Sequence, residues 1–265
     1  MNTANCAKPL PEKIEQEIAS YVDTGYGLIR SMLSADEINR LVRESERLWR
    51  QYQGAGAGNL RFGIRTDRSG KAVLDRLDPV ADISEIFAAV NRDQRLVSIA
   101  ESGLGEAVTV MKEKLIYKWP GTRGFGAHRD QAYTTPKSGV PGSEVLTISI
   151  SLDRATRAAG PTEFFPSLRH RATIAPADEP RDVDESELRG VVSCMPETNP
   201  GDVILFDGQV PHRSDWNRSD HRRRVYMISF VPARYPEARK NYYAGRLAEE
   251  KEKRRDLVTG SMYFE

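Results

Sequence analysis

Disulfide chemistry is the first thing this sequence lacks. Its 265 residues include two cysteines, Cys6 and Cys194, and Cys6 lies in a terminal stretch (residues 1–8) that reads as disordered. That usage excludes a disulfide-stapled scaffold and leads us to expect a reduced, cytoplasmic protein. No apolar run approaches the ~20 residues that span a bilayer, and the first ten residues lack the apolar core of a secretion signal. Neither sign of charge is in excess, with 39 Lys and Arg against 38 Asp and Glu, a net of +1. Bulk electrostatic capture of nucleic acid or membrane is therefore not expected, and a small molecule is the expected partner. Histidine is scarce too: there are four, His128, His170, His212 and His221. No repeat or low-complexity segment stands out.

What is present is enough for a sizeable core, with 39% hydrophobic residues at this length. Ile14, Ile18 and Tyr21 recur at helical spacing over 11–21, and 26–29 reads as a short strand. Ser34 and Glu37 form a capping-box pattern that opens a helix carrying Ile38, Leu41 and Leu48 to about Gln53. Glycines at 54, 56 and 58 stop it. Residues 59–80 are polar with scattered strand signals. A second helical stretch covers 82–103, with a break near Asn91. From 106 onward the texture becomes strand-like: 108–110 and 115–117 make one long strand pattern, and further segments follow at 124–133, 145–152, 160–165, 189–195, 202–206 and 223–231, separated by Pro and Gly clusters. This rhythm predicts a mainly β fold with flanking helices and a jelly-roll or cupin-like core. The Pro-, Asp- and Glu-rich segment 171–188 reads as a surface insertion or lid, and 236–256 as a charged surface helix. We expect a single domain over 1–265: a helical part (1–104), a β core (105–233) and a C-terminal helix and tail (234–265).

The chemistry centres on Gly126-Ala127-His128-Arg129-Asp130-Gln131. On a strand, His128 and Asp130 share one face and Arg129 takes the other, so replacing Arg129 is expected to leave iron binding largely intact. Alone, the motif also suits a buried histidine bonded to a neighbouring carboxylate. His212, however, lies just beyond the turn and apolar strand of 200–207. Two imidazoles and one carboxylate make the facial set that holds Fe(II) and leaves positions open for a co-substrate and oxygen. Eleven residues later Arg223 opens an apolar strand, sharing a face with Val225, Met227 and Ser229. A guanidinium on such a face needs an anion, and a dicarboxylate co-substrate pairs with it bidentately. The other reading is an arginine-rich strand edge paired with Asp207, Asp215 or Asp220.

These pieces resemble the phytanoyl-CoA dioxygenase family of Fe(II)/2-oxoglutarate-dependent oxygenases. The matching segments are Ile116 to Gly121, His128 to Gln131, Ala159 to His170, Pro200-Gly201-Asp202, and His212 to Ser214 through Asn217 to Arg224. The resemblance implies a double-stranded β-helix core with His128, Asp130 and His212 on iron. It implies that Arg223 binds the distal carboxylate of 2-oxoglutarate, assisted by Ser214, with Arg224 replacing it if the register shifts by one. Lys114 and Ser149 fall where the family contacts 2-oxoglutarate, and so does Arg76 if a one-residue gap is allowed. His170 falls outside the metal site. O2 is then the oxidant, succinate and CO2 leave, and Asp130 favours hydroxylation, ring closure or desaturation over halogenation. Gln131 and Tyr133 are expected at the pocket mouth, with Arg61, Arg65, Lys112 and Trp216 as further substrate candidates. That polar, cationic set suits a small anionic or zwitterionic substrate: an amino acid, a phosphonate or an intermediate of secondary metabolism. The same chemistry on an acyl thioester, a cupin-like metal enzyme without 2-oxoglutarate, and a non-catalytic binding module are the alternatives.

Overall fold

The computed structural model describes residues 10–54, 59–171 and 183–253. The expected disorder of 1–8 and most of the expected 171–188 lid lie outside them. The elements are α1 (Glu12–Thr24), β1 (Tyr26–Ile29), α2 (Ala35–Tyr52), β2 (Phe62–Thr66), β3 (Ala72–Leu77), α3 (Glu85–Asn91), α4 (Gln94–Leu104), β4 (Val108–Lys118), α5 (Gln131–Ser138), β5 (Leu146–Ser151), β6 (Thr162–Phe164), β7 (Val203–Asp207), β8 (His212–Ser214), β9 (Arg223–Pro232) and α6 (Ala238–Lys253). Seven strands form one antiparallel sheet in the order β1-β7-β5-β9-β4-β3-β2, and β6 pairs with β8 in a second.

Local chemistry sets the helix ends. The capping box is formed as expected: the Glu37 N–H donates to Ser34 Oγ, and Glu37 Oε2 accepts from the Ser34 N–H at 2.7 Å. The break near Asn91 is also found. It separates α3 from α4, and Asp93 caps α4 by accepting from the Arg95 N–H at 2.9 Å.

Alternation along the long strands divides the large sheet into two unlike faces. Leu115, Tyr117, Leu146, Ile148, Ile150, Val203, Leu205, Tyr226, Ile228 and Phe230 point to one side and pack with α2, α3 and α4 through Leu41, Leu48, Phe87, Leu96 and Ile99. Buried hydroxyls tie the two layers, with Tyr117 Oη donating to Ser45 O at 2.6 Å and Tyr226 Oη to Asn91 Oδ1 at 2.6 Å. The opposite face of the same strands carries Lys112, Lys118, Thr147, Ser149, Ser151, Arg223 and Ser229, all buried. Thr147 and Ser229 satisfy each other there at 2.8 Å.

The long strand expected from 108–110 and 115–117 is found as β4, and the polar 59–80 stretch contains the β2–β3 hairpin at the sheet edge. Three other expectations need correction. Segment 124–133 is not a strand: it runs as a loop beside β8 and turns into α5. Segment 189–195 is not one either. Val192 is 84% exposed, with nothing to pack against, and the segment makes a single bridge between Cys194 and Phe164. The tail helix does not lie free on the surface. Ala238, Tyr242 and Tyr243 of α6 are buried against Leu60, Met111, Val140 and Val231. The few apolar residues counted from sequence understated this face, because its area comes from tyrosine rings.

Arg224 faces the helical layer. It is 4% exposed and grips Asp153 through Nε and Nη2, both at 2.7 Å, with a third bond from Nη1 to Ser45 Oγ at 2.8 Å. Removing one partner of a buried ion pair strands the other charge. Asp153→Ala should therefore cost about 3 kcal/mol, read as a lower urea midpoint at unchanged slope. An unaltered midpoint would mean that this pair does not anchor β9 to the turn after β5.

Candidate metal centre

Three donors meet at the junction of β8 and the loop before α5. A donor atom from each of His128, Asp130 and His212 lies within 4.8 Å of the other two. His128 and His212 form an antiparallel bridge, each N–H donating to the other's carbonyl at 3.0 and 2.9 Å. Gly124 allows this approach, because a Cβ there would sit 1.9 Å from Ser214 O. Asp130 does not reach the site by strand alternation, as the sequence suggested. It is the helical N-cap of α5, and its carboxylate makes no cap bond, which leaves it turned toward the imidazoles. His128 Nε2 stands 3.9 Å from Asp130 Oδ1.

The tautomers follow from the neighbours. His128 Nδ1 donates to Gly126 O at 2.8 Å and His212 Nδ1 to Val210 O at 3.0 Å. A carbonyl can only accept, so each proton sits on Nδ1 and each Nε2 lone pair is free. Burial, then the second imidazole, pushes His128 down to about 3, and burial likewise lowers His212, so both rings are neutral at ordinary pH. Burial alone would raise the Asp130 carboxyl, but the positive charges of Lys112 and Lys114 outweigh it and hold the group ionised. Lys112 Nζ lies 3.3 Å from Asp130 Oδ2. Two neutral imidazoles and one ionised carboxylate, oriented by outer partners, form a donor set that fits Fe(II).

The donors open into a cavity of about 330 Å³ whose wall is rich in cations. Arg76, Lys112, Lys114, Lys137, Arg213, Arg223 and Arg246 face it, against Asp78, Asp130 and Glu249. Arg223 is 6% exposed, and its Nε has no hydrogen-bond partner. The three acids considered for it are engaged elsewhere, Asp207 with Arg169, Asp215 with Arg218 and Asp220 with His221. Arg223, not Arg224, is thus the cavity arginine.

A model described as phytanoyl-CoA dioxygenase (PhyH) matches residues 21–225. The chain belongs to this family. As a phytanoyl-CoA dioxygenase family member it is an Fe(II)- and 2-oxoglutarate-dependent dioxygenase. The 2-aminoethylphosphonate dioxygenase of an uncultured bacterium is 23% identical over 231 residues, 86% of each chain. The methylphosphonate hydroxylase of Gimesia maris is 31% identical over 143 residues, 53% of this chain and 52% of that one. Among solved structures, EctD from S. alaskensis with 2-oxoglutarate and 5-hydroxyectoine superposes with a TM-score of 0.69 at 22% identity, covering 88% of this chain and 81% of that one. The epimerase SnoN, in complex with Fe3+, alpha ketoglutarate and nogalamycin RO, gives 0.69 at 17% identity, covering 83% and 84%.

Within this family member, the residues named from sequence fall into two groups. His128, Asp130, His212, Arg223, Ser214, Lys114, Arg76, Lys112 and Tyr133 all line the cavity, and the Tyr133 ring meets His128 edge-on at 5.6 Å. The others lie off its wall. Ser149 is buried on β5 opposite Met227. Gln131 packs against Gly142. Arg61 is 2% exposed and donates to Pro79 O at 2.6 Å, a structural task. Trp216 lies beneath Arg68, 4.5 Å from ring centroid to guanidinium carbon. His170 and His221 are exposed. Sequence reading missed Tyr242, Arg246 and Glu249 of α6, which also line the cavity. Their spacing of i, i+4 and i+7 is one helical face, a signal available in the sequence. Arg246 pairs with buried Asp78, and Glu249 with Lys137 at 2.8 Å.

Arg129 does point away from Asp130, but into protein. It is 2% exposed, and its guanidinium donates to Gln209 O at 2.9 Å, Leu168 O at 3.1 Å and Arg171 O at 3.2 Å. It therefore ties the metal loop to the turn that presents His212. Arg129→Ala should cost about 3 kcal/mol by leaving several carbonyls unsatisfied, seen as a lower melting temperature of the metal-free chain, and should weaken Fe(II) binding in an anaerobic titration. Wild-type stability in this variant would refute the tie.

Proposed function

We propose that His128, Asp130 and His212 hold Fe(II), that Arg223 and Ser214 take the distal carboxylate of 2-oxoglutarate, and that the enzyme hydroxylates an unactivated C–H bond of a small polar or anionic substrate. The carrying observation is that one cavity joins the three-donor cluster to a buried Arg223 whose Nε lacks a partner. A buried guanidinium left so implies an anion to complete it, which favours a 2-oxoglutarate enzyme over a cupin-like enzyme that does without it.

When bound, Fe(II) with 2-oxoglutarate and O2 supplies the oxidative chemistry, with release of succinate and CO2. The chain's own residues prepare that event. The Gly126 and Val210 carbonyls fix the two imidazoles, and Lys112 fixes the carboxylate. Ser214 Oγ accepts from the Phe125 N–H at 3.1 Å, so its own proton is free to donate to a carboxylate oxygen. Ile116, Val225 and Met227 give the wall an apolar strip beside Arg223 that keeps water from the co-substrate's methylenes. Lys114 and Arg76 face the same space and add positive field. The α5–α6 side, with Tyr133, Lys137, Tyr242 and Glu249, is the substrate side. A cavity of about 330 Å³ lies at the small end for ligand sites, and with 2-oxoglutarate inside it leaves room for a compact molecule rather than an acyl thioester. Its cationic wall and the phosphonate-oxidising relatives support an amino acid, a phosphonate or a similarly small biosynthetic intermediate.

We read the chain as one catalytic domain (1–265), with residues 1–104 as its helical part, 105–233 as the β core and 234–265 as the closing helix and tail. Within the core, the β6–β8 pair, joined to the metal loop through the His128–His212 bridge, covers the polar face of the large sheet. This supports a double-stranded β-helix.

Anaerobic addition of Fe(II) and 2-oxoglutarate should produce a weak visible charge-transfer band that Asp130→Ala abolishes. Arg223→Leu should keep Fe(II) binding but raise the 2-oxoglutarate requirement by about two orders of magnitude. No band with the wild-type chain, or an unchanged requirement in Arg223→Leu, would sink this reading.

A further inference from the structure

The β4–β9 register sets Lys118 directly opposite Arg223. Opposed residues of an antiparallel pair project from the same face, where like charges repel. Both side chains are buried, at 3% and 6% exposure, and among the described residues neither lies within ion-pair distance of a carboxylate. The charged groups facing Lys118 are Arg223 from β9, Arg65 from β2, Asp75 from β3 and Asp215 after β8. Both acids are already engaged, Asp75 with Arg65 at 2.9 Å and Asp215 with Arg218. Lys118 Nζ donates to Gly160 O at 2.7 Å, a bond open to a neutral amine, though stronger from an ammonium.

We propose that Lys118 takes up a proton when the distal carboxylate of 2-oxoglutarate settles on Arg223, so that co-substrate binding is linked to pH. The inference rests on the Arg223 seat argued above. In the ligand-free chain, burial first, then Arg223 and Arg65, pushes the Lys118 ammonium down to about 6. The negative charge of an arriving carboxylate offsets the field of Arg223 at Lys118, which favours the charged form. The amine lone pair then accepts a proton from solvent, and the bound-state midpoint lies above the free one. Below about pH 6 both states carry the proton and binding is flat. Between the two midpoints binding draws in up to one proton, and the Kd for 2-oxoglutarate rises with pH by up to about tenfold per unit. Lys114, held down to about 8 by burial and Lys112, faces the cavity too. Its own uptake belongs to a higher pH range and is separated by comparing variants.

The test is calorimetry of 2-oxoglutarate binding to the full chain with Fe(II), anaerobically, in two buffers of different ionisation enthalpy across neutral pH. Wild type should take up a large fraction of a proton near pH 7. Lys118→Gln keeps a donor for Gly160 O but cannot titrate. It should lose that uptake and show a flatter Kd below pH 8, and Lys118→Met should behave the same way. Uptake in Lys118→Gln equal to wild type overturns the proposal. So does an effect seen only in Lys118→Met, which would make Lys118 a tie to Gly160 and nothing more. If wild type fails to bind 2-oxoglutarate at all, the proposed function falls and this inference with it, whereas binding with unchanged uptake removes this inference alone.

Discussion

Everything in this molecule depends on a sheet that buries its two faces by different means. One face is apolar and covered by α2, α3 and α4, with Leu146, Ile148, Ile228 and Phe230 at the centre of the contact. Burial there supplies the main driving force for folding. The opposite face is thereby released from that duty and can hold lysines, arginines and hydroxyls that would be ruinous in an ordinary core. Arg223 and Arg224, adjacent in sequence, show the division most directly. Arg224 turns to the helices and is fully paired with Asp153, while Arg223 turns to the cavity and keeps an unpartnered Nε.

The cavity's electrostatics follow from that placement. Lys112, Lys114 and Lys118 occupy alternate positions of β4, and Arg76 and Arg223 come from the strands on either side. Inside the protein this positive field keeps Asp130 ionised against the penalty of burial, while burial itself is the main cause that keeps the imidazoles neutral. The same field that readies the metal donors also attracts the anions the reaction consumes. Backbone carbonyls at 126 and 210 then set the ring tautomers without spending a side chain.

Much of this was legible in the sequence, because the relevant signals are local or periodic. The capping box at Ser34–Glu37, the break near Asn91 and the long apolar strands obey rules of spacing. His128, Asp130, His212 and Arg223 stood out because histidine is rare here and a cation opened an apolar strand. Three things were hidden. The 124–133 loop imitated a strand, since the rule that places i and i+2 on one face gives the same partners as a turn into α5. The segment around Val192 carried a strand pattern but had no neighbour to pair with, which only tertiary structure decides. Arg129 and Arg61 looked like solvent-facing or ligand-facing charges, yet they serve carbonyls of distant loops that no local pattern connects to them.

Tyr242, Arg246 and Glu249 lie on a single face of α6, a helix outside both sheets. The chamber thus has one wall whose side chains take no part in the strand ladder, though Arg246 is tied to buried Asp78 and Tyr242 lies under Lys112. On the substrate side proposed above, this helix would shape what fits the chamber, whereas the three metal donors come from elements outside it.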